Sequence, residues 1–190
     1  MSKINISLII TLWLVLCSLQ MIGINHFYFE RDLLGQGQYW RLLTAHFVHL
    51  NVTHLVFNLA GLSLVLIILD RTWSLAAWLC LIVFSAVAQS LAFYWFLPHV
   101  KAYVGFSGVI HSLYVAGAVI LLQKRQDRYL AIVLLILVTL KLLTENIGQG
   151  ISVTEKMIGG HVLVEAHLYG AIIGLIYALV ALSFRRIKDN

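Results

Sequence analysis

The stretch Val162–Phe184, VLVEAHLYGAIIGLIYALVALSF, sets the class of structure that this chain can form. Glu165 is its only residue with a formal charge, and most other positions are apolar or small. A helix needs about 20 predominantly apolar residues to cross the hydrocarbon core of a bilayer. The stretch therefore predicts a transmembrane helix.

Five other segments of the chain share this apolar character. Of the 190 residues, 61% are apolar and 11% charged, whereas about 25% are charged in a typical soluble domain. This composition excludes a disordered chain, a secreted disulfide scaffold and an ordinary cytosolic enzyme. We predict an all-α polytopic membrane protein, a single compact domain over residues 1–190. Its six transmembrane helices are predicted at 6–24, 52–69, 73–96, 106–122, 127–146 and 162–184, with an interfacial loop at 25–51 that mixes aromatic and charged residues.

The formal net charge of +5 falls on one side of this bundle when the N-terminus is placed in the cytoplasm. That side then carries eight basic and three acidic residues, and the other side carries five of each. An excess of Lys and Arg marks cytoplasmic connections. Both termini are therefore predicted to be cytoplasmic, and the charge requires no nucleic-acid partner. The basic residues on the cytoplasmic side are Lys3, Arg71, Lys124, Arg125, Arg128, Arg185, Arg186 and Lys188.

Polar side chains at bilayer depth are costly and often functional, and two of the predicted helices carry such groups near their starts. In the second helix, His54 and Asn58 are four residues apart and project from the same face. The fourth helix begins with Gly105-Phe106-Ser107-Gly108, and His111 follows one turn after the serine. Both helices are therefore candidates to contribute to a site.

The sixth helix carries a third polar group, His167. This histidine shares a helix face with Gly170 and Gly174. Small residues at this spacing let a neighbouring helix approach closely. We expect the imidazole to lie at a close contact between helices.

Together these residues fit nucleophilic catalysis. An imidazole such as His167 can accept the hydroxyl proton of Ser107 and activate it as a nucleophile. His54, Asn58 and the Ser107 backbone N–H can stabilise a tetrahedral oxyanion. The sequence shows no acidic residue in a convincing position to orient His167, because Glu165, two residues away, points to a different helix face. It therefore predicts a dyad.

The same stretches resemble the motifs of the rhomboid intramembrane serine proteases. Trp40-Arg41 and His49–Asn58 resemble the Trp-Arg loop of that family and its His-x4-His-x3-Asn pattern. Gly105–Gly108 resembles the Gly-x-Ser-Gly nucleophile motif, and Ala166–Gly174 resembles Ala-His-x2-Gly-x3-Gly. The resemblance covers nearly the whole chain and implies a minimal six-helix rhomboid core.

A rhomboid-like chain would cleave transmembrane-anchored protein substrates inside the lipid bilayer, without a cofactor. The resemblance implies that Ser107 is the nucleophile and that His167 is the general base. His54 and Asn58 would line the oxyanion hole together with Ser107.

The resemblance also assigns supporting roles outside the catalytic residues. Trp40 and Arg41 would belong to the interfacial loop, which His49 would support. The fifth helix and the polar, glycine-containing segment Thr144–Gly160 would form a lateral gate and a cap.

One residue departs from the common rhomboid pattern. Many rhomboids carry a Tyr four residues after the serine, where this chain has His111. A His there, in a short chain, is similar to the rhombosortase branch of Gram-negative bacteria. That branch implies an inner-membrane protease opening to the periplasm, with substrates that carry a C-terminal Gly-Gly motif, transmembrane helix and basic tail, the GlyGly-CTERM segment.

Other interpretations remain open at this point. His46, His49 and His54 are close in sequence and raise zinc binding, but no His-Glu-x-x-His motif is present. A non-enzymatic membrane protein, either a small transporter or a haem or quinone module using intramembrane histidines, is a second interpretation. A catalytically inactive rhomboid relative that binds membrane proteins is a third. The sequence leaves open the oligomeric state and whether water or an amine resolves an acyl-enzyme.

Overall fold

The computed structural model describes residues 3–70, 72–147 and 153–189, which are mostly helical. Long helices lie at all six predicted segments. Arg71, one of the charges used to orient the chain, lies outside the described residues. In chain order the elements are α1 (Lys3–Ile22), β1 (Phe29–Glu30), α2 (Arg31–Gly35), α3 (Arg41–Thr44), α4 (Val52–Ile68), α5 (Leu75–Phe96), β2 (Ala102–Tyr103), α6 (Ser107–Leu121), α7 (Arg128–Ile147), α8 (Val153–Ile158) and α9 (Val164–Asp189), with 3-10 turns at Ile24–His26, Ala45–Phe47 and Arg125–Asp127.

Among the described residues, three helices are long and apolar enough to cross a membrane individually. They are α5, α7 together with the turn before it, and α9 as far as Phe184. A fourth span results if Arg41–Phe47 and α4 are counted as one, although the chain bends by 90° between them. The remaining long helices, α1 and α6, are apolar but shorter. The protein is therefore a mostly helical membrane protein, while the count of six spans and the position of the termini stay predictions.

Helix α6 lies at the centre of the bundle. Twelve of its 15 residues are buried. Its polar residues His111 and Ser112 are buried as well as most of its apolar ones. Helices α4, α5, α7 and α9 all pack against it, and the larger hydrophobic cluster forms around its buried side chains. The N-terminus of α6, where Ser107 lies, is therefore surrounded by the ends of neighbouring helices.

Helices α6 and α9 approach each other backbone to backbone. A Cβ atom added at Gly170 would overlap the carbonyl of Gly108, and one added at Gly174 would overlap the carbonyl of Ser112. The Ser112 hydroxyl donates a hydrogen bond to the Gly170 carbonyl at 2.7 Å. The expected close contact at the small-residue face of the sixth helix is thus present.

The connection predicted as an interfacial loop is a folded layer. It contains the short helices α2 and α3, and β1, which pairs antiparallel with β2. In this pairing Phe29 lies opposite Tyr103 and Glu30 opposite Ala102. The structure is otherwise mostly helical, and this strand pair was not predicted because strands of two residues are too short to produce an alternating pattern in the sequence.

Arg31 ties this layer to the end of α5. Its guanidinium donates to the carbonyls of Phe93 at 2.7 Å, Tyr94 at 2.8 Å and Leu97 at 2.8 Å. The last carbonyls of a helix have no partner within the helix. Arg31 supplies a donor to the Tyr94 carbonyl and adds a second donor to the carbonyls of Phe93 and Leu97, which also accept from backbone N–H groups. The strand pair that leads towards α6 is held in place by these bonds.

Candidate active site

Ser107 is the first residue of α6, and the chain enters the helix through Gly105. Gly105 has φ +126° and lies against the His54 ring, which a Cβ atom would overlap. Burial raises the pKa of the Tyr103 phenol, so this hydroxyl keeps its proton. It donates to the Gly105 carbonyl at 2.8 Å. Glycine at this position therefore lets the serine and His54 approach each other.

His167 lies on α9, three residues after its start, and is buried with 5% of its surface exposed. The hydroxyl of Ser107 is 2.9 Å from His167 Nε2. This distance is within hydrogen-bond reach of a general base. The close packing of α6 on α9 brings together two residues that are 60 positions apart in the sequence.

A carboxylate also contacts His167, which the sequence analysis did not expect. Glu145 Oε2, near the end of α7, lies 2.8 Å from His167 Nδ1. The expectation that no acidic residue is placed to orient this histidine is therefore wrong. Glu165 points to a different face of α9, and its Oε1 lies 3.8 Å from His99 Nε2. The spacing of Lys141 and Glu145 in an apolar helix is the one local signal that could have drawn attention to the residue.

These contacts indicate which tautomer the neutral His167 ring adopts. An ionised carboxylate can only accept a hydrogen bond, so Nδ1 carries the proton and donates to Glu145. Nε2 then has a free lone pair directed at the hydroxyl of Ser107. This is the tautomer that a base for serine activation requires.

His111 stacks on His167. The two ring centroids are 4.3 Å apart and the rings are inclined by 17°. His111 Nδ1 donates to the carbonyl of Ser107 at 2.8 Å. The ring of His111 therefore covers one face of the His167 imidazole and fixes its position from the side of α6.

A cavity of about 480 Å³ opens beside the serine. Ser107 and His54 both line it, together with residues of β2, the connection before it and the segment that follows α8. Asn58 is buried one turn below His54, and its side-chain amide donates to the His54 carbonyl at 2.9 Å. The structure thus brings His54 to the cavity beside Ser107, while the Asn58 amide is turned towards its own helix.

The remaining predicted residues lie in the scaffold around the site. Arg41 is buried and donates to the carbonyls of Tyr28 at 2.7 Å and Asn25 at 3.1 Å. Trp40 is exposed, and its indole N–H donates to the His26 carbonyl. These contacts hold the layer between α1 and α4 together.

His49 lies between this layer and the site. Its buried ring packs edge-on against His54, with 5.0 Å between the ring centroids. The Gln20 side chain binds the backbone of His49 through both its oxygen and its nitrogen. His49 therefore connects the end of α1 to His54. In the segment predicted as a cap, residues 148–152 lie outside the described residues, and α8 contributes its Ile158 carbonyl to a hydrogen bond from Asn51.

Donor geometry decides whether a group of three side chains that includes His167 could hold a metal ion. The side chains of His111, Glu145 and His167 have potential ligand atoms within 4.8 Å of one another. The lone pairs of an imidazole lie in the plane of its ring, and the two rings are stacked nearly parallel, so their lone pairs do not converge on one point. His46 is one of the histidines that raised zinc binding. Its Nε2 lies 2.9 Å from the Ser90 hydroxyl. The arrangement fits a hydrogen-bonded group better than a metal site.

Two comparisons with known proteins give matches for this chain. A family model described as the Rhomboid domain matches residues 36–184 of this chain. The chain is also 29% identical, over 154 residues, to a protein named rhomboid protease GluP from Bacillus subtilis (strain 168). The alignment covers 81% of this chain but 28% of that relative. The chain therefore spans less than a third of the length of the curated relative it matches.

Proposed function

The chain belongs to the rhomboid family, and on this premise we propose that it is an intramembrane serine endopeptidase with Ser107 as nucleophile and His167 as general base. The observation that carries the proposal is the 2.9 Å contact between the serine hydroxyl and His167 Nε2 at the edge of a cavity. Family membership supports the reaction class, and this contact supports the assignment of residues.

In the proposed reaction, the Ser107 oxygen attacks the carbonyl carbon of the scissile peptide bond. His167 Nε2 takes the hydroxyl proton as the new C–O bond forms, and then delivers it to the leaving amine as the C–N bond breaks. This leaves an acyl-enzyme on Ser107. Water, deprotonated by the same ring nitrogen, then attacks the ester, and the returning proton regenerates the serine hydroxyl.

Charge that develops on the substrate oxygen would be stabilised at the start of α6. The first N–H groups of a helix have no partner within the helix, and its dipole places partial positive charge there. The Ser107 N–H would donate to the oxyanion, and His54 reaches the same cavity from α4. The Asn58 amide would join them by rotating away from the His54 carbonyl to which it now donates.

The proposed substrates are proteins anchored by a transmembrane helix, presented within the bilayer. We further place the chain in the rhombosortase branch, with the GlyGly-CTERM segment of exported proteins as substrate. His111 supports this assignment, because it occupies the position where many rhomboids carry Tyr. The enzyme would then be a multi-pass protein of the Gram-negative inner membrane, with the cavity open to the periplasm, which the one-sided charge supports.

The proposal is tested by co-expressing the protein with an exported reporter that ends in a Gly-Gly motif, an apolar helix and a basic tail. Wild type should release the reporter from the membrane, and Ser107→Ala should abolish release while remaining membrane-inserted. A matched control is Ser183→Ala, since that α9 hydroxyl donates to the Val180 carbonyl away from the cavity. Undiminished release by Ser107→Ala would refute the mechanism.

A second reporter tests the proposed substrate class independently of the proposed reaction. In it, the Gly-Gly motif is replaced by Leu-Leu and the rest is unchanged. Loss of cleavage for this reporter alone is the expected result. Equal cleavage of both reporters would leave the serine protease in place and overturn the GlyGly-CTERM assignment.

A further inference from the structure

The Glu145 carboxylate contacts two residues, Lys141 on its own helix and His167 on another. Lys141 and Glu145 are four positions apart on α7, and Lys141 forms an ion pair with Glu145 Oε1. The second carboxylate oxygen, Oε2, is 2.8 Å from His167 Nδ1 on a different helix. An exposed ion pair between residues four apart contributes little by itself, so the contact across to α9 is the distinctive feature.

The surroundings of this contact strengthen it. The side chain of His167 is 6% exposed and that of Glu145 is 20% exposed. Electrostatic interactions weaken less in a poorly solvated environment than in water. Lys141 places a positive charge beside the other carboxylate oxygen, Oε1. The carboxylate is thus held as a charged acceptor facing the imidazole.

The contact has a direct consequence for the chemistry at Ser107. While Glu145 accepts from Nδ1, the ring proton stays on Nδ1 and the lone pair of Nε2 stays directed at the serine. Without an acceptor at Nδ1, the ring is free to adopt the other tautomer. In that tautomer Nε2 carries the proton and has no lone pair to accept the proton of the serine hydroxyl. When Nε2 takes that proton, the negative carboxylate also stabilises the imidazolium that forms.

We propose that Glu145 is a positioning residue of the catalytic site, completing a Ser107–His167–Glu145 chain in place of the dyad that the motifs predict. The inference rests on the proposed function, since it concerns the same reaction. It also makes the base depend on α7, because Glu145 lies on neither of the two helices that carry Ser107 and His167.

The test measures kcat and KM for cleavage of a transmembrane reporter by purified protein in proteoliposomes. Thermal unfolding gives the folded fraction of each variant, and rates are expressed per folded molecule. Glu145→Gln should lower kcat by at least about 10-fold, with KM within about twofold; an amide in place of the triad carboxylate costs up to about 10⁴-fold. Glu145→Asp keeps the charge and should recover most of the loss. Asp127→Asn, which removes a carboxylate just before α7 at its opposite end, should match wild type.

Two results would overturn the positioning role. One is wild-type kcat for Glu145→Gln, and the other is Glu145→Asp no better than Glu145→Gln. Ser107→Ala, run in parallel, separates this inference from the proposed function. If Ser107→Ala is inactive while Glu145→Gln has full activity, Glu145 alone loses its role. If Ser107→Ala still cleaves, the proposed function fails.

Discussion

Helices α6 and α9 pack with their backbones in contact, whereas α7 also packs on these two helices but leaves an apolar groove beside them. At the first interface, glycines on α9 lie directly against carbonyls of α6. At the second, a space of about 800 Å³ lies between parts of α7 and the other two helices. We call this space the α7 groove; it is lined by Val115, Val119, Leu135, Leu142, Leu175 and Leu179, among others.

The candidate site therefore has a closely packed part and a more loosely packed part. Ser107 and His167 are carried by the tightly packed pair, so their relative position is set by backbone contact. Glu145 is carried by α7, whose buried residues are Ala131, Leu134 and Val138. The geometry of nucleophile and base is therefore expected to resist perturbation more than the contact between base and carboxylate.

The largest predicted effect comes from breaking the tight interface, because it combines a loss of stability with a loss of cleavage. In Gly170→Ala, the new Cβ atom would overlap the Gly108 carbonyl, which forces α9 away from Ser107. Overpacking of a close contact costs about 1–3 kcal/mol, and we expect a loss near the upper end together with loss of cleavage. Thermal unfolding in detergent and the reporter assay measure the two effects.

Gly61→Ala is the matched control for that substitution. It also places a Cβ atom between helices, but the nearest atom, Ile110 Cδ1, is 3.5 Å away. We expect its stability to change by less than about 0.5 kcal/mol. Equal losses for the two variants would show that close backbone contact is not what distinguishes α6 and α9.

Truncation of one leucine on α6 and of one on α7 should produce the next largest difference. Leu113 on α6 is fully buried, and Leu113→Ala should cost about 2–4 kcal/mol. Leu142 on α7 lines the groove, so Leu142→Ala removes fewer contacts and should cost less than about 1 kcal/mol. Denaturant-induced unfolding compares them, and a Leu142→Ala cost as large as that of Leu113→Ala would contradict the loose packing of α7.

The smallest predicted effect concerns the ion pair on α7. Lys141→Met leaves Glu145 in place but removes its charged neighbour. Exposed ion pairs contribute about 0.2–1 kcal/mol, so kcat should fall by no more than about fivefold, less than for Glu145→Gln. A larger loss for Lys141→Met than for Glu145→Gln would assign the orienting role to the lysine instead.

The sequence predicts those parts of the fold and site that depend on local patterns. The positions of the long helices follow from apolar runs, and the serine and histidines stand out because polar residues are rare in such runs. Glu145 was missed because its contact joins residues 22 positions apart on two helices, and its charge was counted only towards topology. The pairing of Phe29 with Tyr103 was missed for the same reason: no local pattern encodes contacts set by tertiary packing.

The central claim is that His167 activates Ser107, and labelling with a serine-directed fluorophosphonate tests it most directly. The adduct is located by mass spectrometry in wild type, Ser107→Ala and His167→Ala, each shown by thermal unfolding to be folded. We predict an adduct on Ser107 in wild type and none in either variant. An adduct on a different serine, or undiminished labelling of Ser107 in His167→Ala, would contradict the account.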